Sequence, residues 1–329
     1  MLVYLLFLIN FIFSITINIP EDYSTIQAGV NAANDGDVIR IAEGIYLENI
    51  LVEKNITIAS QYLNEDGSFG TNLSTYRDNT IIDGSILARP NSSNGTIDIN
   101  IYGLTIRNGE GSNVRFNLNS QNDSDANGPD FTVKKCGGGA FIYRGNNVKI
   151  RFNRFQSNGS ALISNGGALF LTSSEDWDFN DRNYSQVDNP SNRELFIISD
   201  NIFDDNFATL GKTAYFYGYN NLSVDASNGF FDVYNCETDF ITPYWISSNG
   251  NVNFDYTNSD GEICSITNDI WVSPEGDNSN SGTSSGSAFQ TLTYAMSVVA
   301  QVPNNPTTIH LGDGVYTTCS DSQIECWDG

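Results

Sequence analysis

Residues 25–46 read TIQAGVNAANDGDVIRIAEGIY, and residues 291–316 open on TLTYAMSVV and close on IHLGDGVY. Each stretch is a short amphipathic helix, a loop, and a strand ending on an acidic-Gly-x-Tyr turn, the second copy being four residues longer. A helix followed by a single strand has no partner for its apolar face. Starter units of this kind cap a stack of similar coils, which supplies the missing core. Only thirteen residues come after Tyr316, too few to build a stack. The chain is therefore expected to hold one complete solenoid, residues 17–265, and the truncated start of a second module, residues 266–329, within a longer multi-module protein.

Between the two copies lie short β-type runs: ITIAS (56–60), TIIDG (80–84), IDINIYGLTIRNG (97–109), NVKIRFNRFQSN (147–158) and LFIISDNIFDDN (195–206). No amphipathic helix longer than about three turns follows residue 34. Strands this short, punctuated by Gly and Asn, indicate an all-β repeat. Aligning Phe155 with Phe203 sets Val148 and Ile150 against Phe196 and Ile198. The same frame places Ile99, Ile101 and Ile106 upstream, and Leu222 and Val224 downstream, all at the alternate positions of strands with one face buried. From Phe196 to Leu222 is 26 residues, near one coil of a three-sided parallel stack. Arg151 meets Ser199 and Asp225 in this frame. The polar stretches 110–135 and 172–193 lack periodicity and are expected as loops at one edge.

Two short motifs recur. Phe-x-x-Asn appears as FQSN (155–158) and FDDN (203–206); Gly-Gly-Ala-apolar appears as GGAF (138–141) and GGAL (166–169), with GKTA (211–214) a degraded copy. The Phe fills the coil interior, while Asn158 and Asn206 cap turns and can stack as an amide ladder. Gly138, Gly139, Gly166 and Gly167 permit a tight corner where a side chain would strike the next coil. The stretch IPEDYSTIQAGVNAANDGDVIRIAEGIYLENI (19–50) resembles the opening cap of the right-handed parallel β-helix, or pectate-lyase-like, superfamily. WVSPEGDNSNSGTSSGSAFQTLTYAMSVV (271–299) resembles the cap of its secreted members. The paired motifs resemble the repeats of polymorphic outer-membrane proteins, which are adhesin-like β-helices. The resemblance implies the fold and leaves the activity open, because this scaffold hosts lyases, epimerases, hydrolases and non-catalytic adhesins alike.

Fifteen Lys and Arg face 39 Asp and Glu, a net charge of −24. Nucleic acid and anionic lipid are poor partners for such a surface, since phosphate binding needs clustered cations. Residues 1–16, MLVYLLFLINFIFSIT, are too short for a comfortable membrane span and resemble the apolar core of a secretory signal peptide. A secreted or cell-surface location follows, with no membrane insertion of the mature domain. Cys136, Cys236, Cys264, Cys319 and Cys326 include no CxxC pair, which argues against structural zinc. Asn-x-Ser/Thr sequons at Asn55, Asn91, Asn94, Asn158 and Asn221 arise by chance in so Asn-rich a chain and do not establish glycosylation.

A lyase on this scaffold needs a base and a cation to neutralise a uronate carboxylate. Lys149 and Arg151 sit at i and i+2 on one strand face, with Arg144 and Arg154 beside them, either as a ligand-contacting cluster or as surface ion pairs. Asp200, Asp204 and Asp205 are the candidate Ca²⁺ ligands; no other cofactor is expected. Tyr215, Tyr217 and Tyr219 alternate along one strand face, either as a stacking surface for sugar rings or as cover for the last coil. The lone histidine, His310, falls at a surface position. Nucleophile-elbow, phosphate-loop and dinucleotide motifs are absent from the sequence. Without a convergent constellation, the sequence reads as an exported, adhesin-like or glycan-contacting module without chemistry of its own. The alternatives are a polysaccharide lyase using Lys149 or Arg151, and a structural spacer.

Overall fold

The computed structural model describes residues 14–64, 68, 70–92, 95–117, 131–160, 162–174, 177–179, 195–208, 210–219, 221–234, 245–248, 252–264, 266–299 and 307–316. The chain opens with β1 (Thr16–Ile19) and α1 (Ile26–Ala32). A first coil comes next, β2 (Val38–Ile41), β3 (Gly44–Tyr46) and β4 (Ile50–Val52). The second coil is β5 (Ile56–Ser60), α2 (Leu73–Asn79), β6 (Thr80–Asp83) and β7 (Ile86–Ala88). The third holds β8 (Ile97–Tyr102), β9 (Thr105–Arg107), an inserted pair β10 (Ser112–Asn117) and β11 (Phe131–Cys136), and β12 (Ala140–Tyr143). The fourth is β13 (Gly145–Arg151), β14 (Arg154–Gln156), β15 (Ile163–Asn165) and β16 (Leu169–Thr172), with the inserted β17 (Trp177–Asp178) after it. Then come β18 (Leu195–Ile197), β19 (Ile202–Asp204) and β20 (Ala214–Tyr217); β21 (Leu222–Asp225), β22 (Phe230–Tyr234) and β23 (Trp245–Ser248); and the partial coil β24 (Val252–Asp255) and β25 (Asp260–Cys264). The second starter unit is β26 (Ile270–Val272), α3 (Leu292–Val298) and β27 (Ile309–Leu311).

Each coil gives one strand to each of three sheets. The first sheet runs β1-β2-β5-β8-β13-β18-β21-β24, the second β3-β6-β9-β14-β19-β22-β25, the third β4-β7-β12-β16-β20-β23. Their pairings are parallel throughout, as a coiling chain that always advances in one direction requires. The architecture is an all-β parallel solenoid. Inward positions stack by residue type. Ile17, Ile39, Ile58, Ile101, Ile150 and Ile198 form one column, each at most 5% exposed. The rings of Phe155, Phe203 and Phe231 stack 5.4 and 5.3 Å apart in another. Burying each such side chain contributes about 1.5–3 kcal/mol relative to leaving it in water.

Two buried amide ladders lock the corners. Asn158 Nδ2 donates to Ile106 O and Asn206 Oδ1, both at 2.9 Å, while Asn158 Oδ1 accepts from Gly109 N at 3.0 Å. A second ladder at the preceding corner joins Asn153 to Asn201 Oδ1 at 3.2 Å and to Ile101 O at 2.9 Å. It obeys the same logic, a carboxamide being both donor and acceptor along the stack.

The strand register corrects three details of the sequence reading. Phe196 pairs with Val224, not Leu222, so Arg151 aligns with Ser199 and Ser227 rather than Asp225. A two-residue slip keeps every inward residue inward, which is why alternation alone did not resolve it. Ala140 pairs with Leu169 and Leu169 with Ala214, so Gly137, Gly166 and Gly211 share a column, each with positive φ (66°, 71°, 65°). Gly138 therefore stacks on Gly167, and Gly139 on Ala168; the three-glycine run at 137–139 concealed the frame. A Cβ on Gly138 would sit 2.1 Å from Gly167 O.

The third correction concerns the stretches expected as edge loops. Within 110–135, β10 and β11 pair antiparallel, and β17, from 172–193, joins β10. Val114, Phe116, Cys136, Trp177 and Phe179 form a second apolar core with Phe141, Tyr143, Phe170, Tyr215 and Tyr217, which project outward from the third sheet. The inserted layer lies against that sheet.

The second starter unit repeats the first in detail. Thr25 and Thr291 each cap their helix by accepting from the amide three residues on, both at 3.2 Å. β26 pairs parallel with β27 as β1 does with β2. Tyr46 Oη donates to Ala42 O at 3.0 Å, and Tyr316 Oη to Gly312 O at 2.7 Å. The chain beyond Tyr316 lies outside the described residues, as does Cys236 and, within that terminal stretch, Cys319 and Cys326.

Candidate functional site

The outer face of the first sheet brings together the residues with most chemical reach. Lys149 and Arg151 both project outward from β13, with Asn100 and Tyr102 beside them on β8. Arg151 is committed: its Nε lies 3.0 Å from Ser199 Oγ and 3.1 Å from Asp200 Oδ2, and Nη2 lies 2.7 Å from Asp200 Oδ2. Its guanidinium also sits 4.6 Å from the centre of the Phe152 ring, which meets Tyr62 edge-on at 5.8 Å. Burial raises the pKa of the Tyr62 and Tyr102 phenols, with Arg151 opposing, so both stay neutral hydroxyls at ordinary pH.

Lys149 differs from every other described cation. Half-buried, it has no hydrogen bond, ion pair or ring partner among the described residues, whereas each other described Lys and Arg has one. With 39 acids present against 15 cations, an uncommitted ammonium on an outer sheet face stands out. Beside it, Asn100 Oδ1 is shielded from solvent and unpartnered, while Asn100 Nδ2 donates to Thr57 Oγ1 at 3.0 Å.

Backbone strain marks the same corner. Phe152 has φ +61°, and its equivalents along the stack are Gly103 (+65°), Asp200 (+60°), Asn228 (+53°) and Asn258 (+58°). Gly, Asn and Asp tolerate this left-handed conformation; a bulky aromatic does so at a cost of order 1–3 kcal/mol. The strained backbone sets an aromatic ring against Arg151 where four other coils have Gly103, Asp200, Asn228 and Asn258.

The remaining candidates disperse. Arg144, φ +54°, is 2% exposed and packs 5.3 Å from the Tyr143 ring at the corner before β13. Arg154 projects from the second sheet and lies 3.8 Å from Asp78 of α2. Only Lys149 and Arg151 share a face; Arg144 and Arg154 belong to a corner and to another sheet, so the four do not form one cluster. Tyr215 and Tyr217 are 5% and 4% exposed beneath the inserted layer, where Tyr217 meets Trp177 edge-on at 5.6 Å. Tyr219 turns into the solenoid core against Phe196, because Gly218 (φ +74°) interrupts the alternation. The three tyrosines therefore do not line one open face.

The acidic candidates diverge as well. Asp200 is held by Arg151, Asp204 accepts from Gln156 Nε2 at 3.3 Å on the second sheet, and Asp205 (φ +51°) occupies the next corner. No group of three or more His, Cys, Asp or Glu gathers as a cation site among the described residues. Sequence reasoning missed Tyr62, Tyr102, Asn100 and Phe152. Tyr102 and Asn100 were legible as outward alternates of β8; Tyr62 and Phe152 reach the site through turns whose conformation carries no periodicity.

No family model matches the chain, and no curated protein matches it. Among solved structures, it is similar to a pectin methylesterase mutant in complex with a hexasaccharide, at 14% identity over 77% of this chain and 90% of that one, with a TM-score of 0.21. The parallel-solenoid assignment rests on the strand pairing described above rather than on this likeness.

Proposed function

We propose that this is an exported, non-catalytic β-helix module that contacts glycans through the outer face of its first sheet. The observation that carries the reading is Lys149, uncommitted among the described residues and beside Asn100, Tyr102 and Arg151. An ammonium and a neutral phenol offer donors to sugar hydroxyls and carboxylates, and aromatic faces stack on sugar rings. Against a lyase, Arg151 is neutralised by Asp200, and the described inserted strands β10, β11 and β17 carry their apolar residues against the third sheet.

Export is supported by the apolar run at the start of the sequence. Ser14 Oγ donates to Gly36 O at 2.7 Å and Ile15 N to Asp37 Oδ1 at 2.9 Å, and Thr16 opens β1, so the folded edge begins inside the expected leader. A removable leader would end before Ser14 and not after Thr16.

A glycan array with wild type and Lys149→Ala, run beside an unsaturated-uronate absorbance assay, tests the reading. Glycan binding that weakens in the variant, with a flat absorbance trace, is expected. Product formation that disappears in Lys149→Ala would make the protein a lyase. Silence in both assays would leave the spacer.

A further inference from the structure

The sequons differ sharply in what the fold does with them. Asn91 and Asn221 are exposed, Asn221 at φ +55° in the turn before β21. Asn158, which heads Asn158-Gly159-Ser160, is 0% exposed. Both N–H groups of its carboxamide are in use, one on Ile106 O and one on Asn206 Oδ1, each at 2.9 Å. Its main-chain amide also donates to Asn206 Oδ1 at 3.2 Å.

N-glycosylation would join Asn158 Nδ2 to the anomeric carbon of an oligosaccharide carried on a lipid pyrophosphate. The C1–O bond to the pyrophosphate breaks, the lipid pyrophosphate leaves, and one amide proton passes to a base. The modified amide keeps one N–H for two buried acceptors, and a bulky, hydrophilic group must occupy a site with no access to solvent. The transfer reaches Asn158 only before the coils close. A chain so modified has lost the ladder that joins its third, fourth and fifth coils, at the stack of Phe155 on Phe203.

We infer that the protein folds along an export route that lacks glycosyl transfer to Asn-x-Ser/Thr, because its Asn158 sequon is a buried ladder position. This rests on the export reading; a chain that is never exported meets no such machinery. The route fitting both is one in which the chain crosses a membrane and folds beyond it without meeting lipid-linked oligosaccharide.

The test exchanges the native apolar leader, residues 1–13, for a foreign one and expresses the rest of the chain in two hosts, a bacterial periplasm and a glycosylating eukaryotic secretory cell, as wild type and as Ser160→Ala. That variant abolishes the acceptor sequence, keeps Asn158, and removes only an exposed contact from Leu162 N to Ser160 Oγ. Peptide mass spectrometry reads occupancy at Asn158 and Asn221; protease resistance reads folding. Equal folded yields of both proteins are expected in the periplasm. In the secretory cell, the wild type is expected to be retained with sugar on Asn158, and Ser160→Ala to recover folded, secreted protein several-fold. Folded, secreted protein carrying sugar on Asn158 would overturn the inference. So would wild type secreted without that sugar in the same yield as Ser160→Ala. The foreign leader keeps this result independent of the native one, whose ability to export a reporter is a separate readout of the export reading.

Discussion

Asn153→Leu removes one rung of a buried ladder without changing the apolar pattern, since Leu104 already fills the same column one coil earlier. In the wild type, Asn153 Oδ1 accepts from Leu104 N at 3.0 Å, and Nδ2 donates to Ile101 O at 2.9 Å. Leucine leaves the Leu104 amide buried without an acceptor, which costs about 1–3 kcal/mol, and removes the bond to Ile101, worth about 0.5–1.5 kcal/mol. A destabilisation of about 1.5–4.5 kcal/mol results from these terms. Urea denaturation monitored by far-UV circular dichroism measures it, with an unchanged slope showing that the transition itself is the same. Because Asn153 also touches Asn201 Oδ1 at 3.2 Å, Asn201→Leu and the double variant should be non-additive by about 0.5–3 kcal/mol. A single variant within about 0.5 kcal/mol of wild type, or strict additivity, would refute the view that these amides hold the corner.

Gly138→Ala places its Cβ 2.1 Å from Gly167 O and 2.6 Å from Gly159 N, backbone on both sides, so soluble folded protein is expected to be lost. Gly36→Ala, at φ +91° with nothing within 4 Å, should cost only the backbone penalty of about 1–2 kcal/mol in a thermal melt. Burial pushes the Cys136 thiol up to about 12, so a disulfide reagent at mildly alkaline pH should label it only as the protein unfolds; rapid labelling would show that the inserted layer opens. Tyr62 and Tyr256 have phenol pKa values raised by burial, so their stabilisation is fully present below the unfolded value of about 10 and is lost as pH rises through the folded values. Ultraviolet titration should show fewer phenolates in native than in urea-unfolded protein above that pH, and coincident curves would contradict the burial.

The parallel stack was legible because its signal is redundant. Alternation from Val148 to Ile150 repeats at Ile99 to Ile101 and Phe196 to Ile198, and the two starter stretches share a helix cap and a parallel strand pair. Register was legible wherever an unusual residue recurred: Phe155 does pair with Phe203. It failed where only alternation spoke, between β18 and β21, since a strand shifted by two presents the same faces. The inserted layer was concealed because its apolar residues are sparse in sequence: Val114 and Phe116 stand far from Trp177 and Phe179, and their partners are outward aromatics of other coils. The second ladder had a sequence signal, the five-residue spacing of Asn153 to Asn158 repeated from Asn201 to Asn206. For the site, outward direction was readable for Lys149 and Arg151. Commitment to partners was not, because Asp200 reaches Arg151 from a left-handed corner that no periodicity describes.

The stacking direction also sets how the molecule carries tension. Strands lie across the axis, so the hydrogen bonds joining successive coils point along it. The chain enters at one end of the stack, at β1, and leaves from the far end, beyond β25. A pull between its two ends therefore loads those bonds lengthwise and opens one coil edge at a time, instead of shearing a whole sheet at once. A stack built this way yields in short increments, and the amide ladders add side-chain bonds along that axis between its third, fourth and fifth coils.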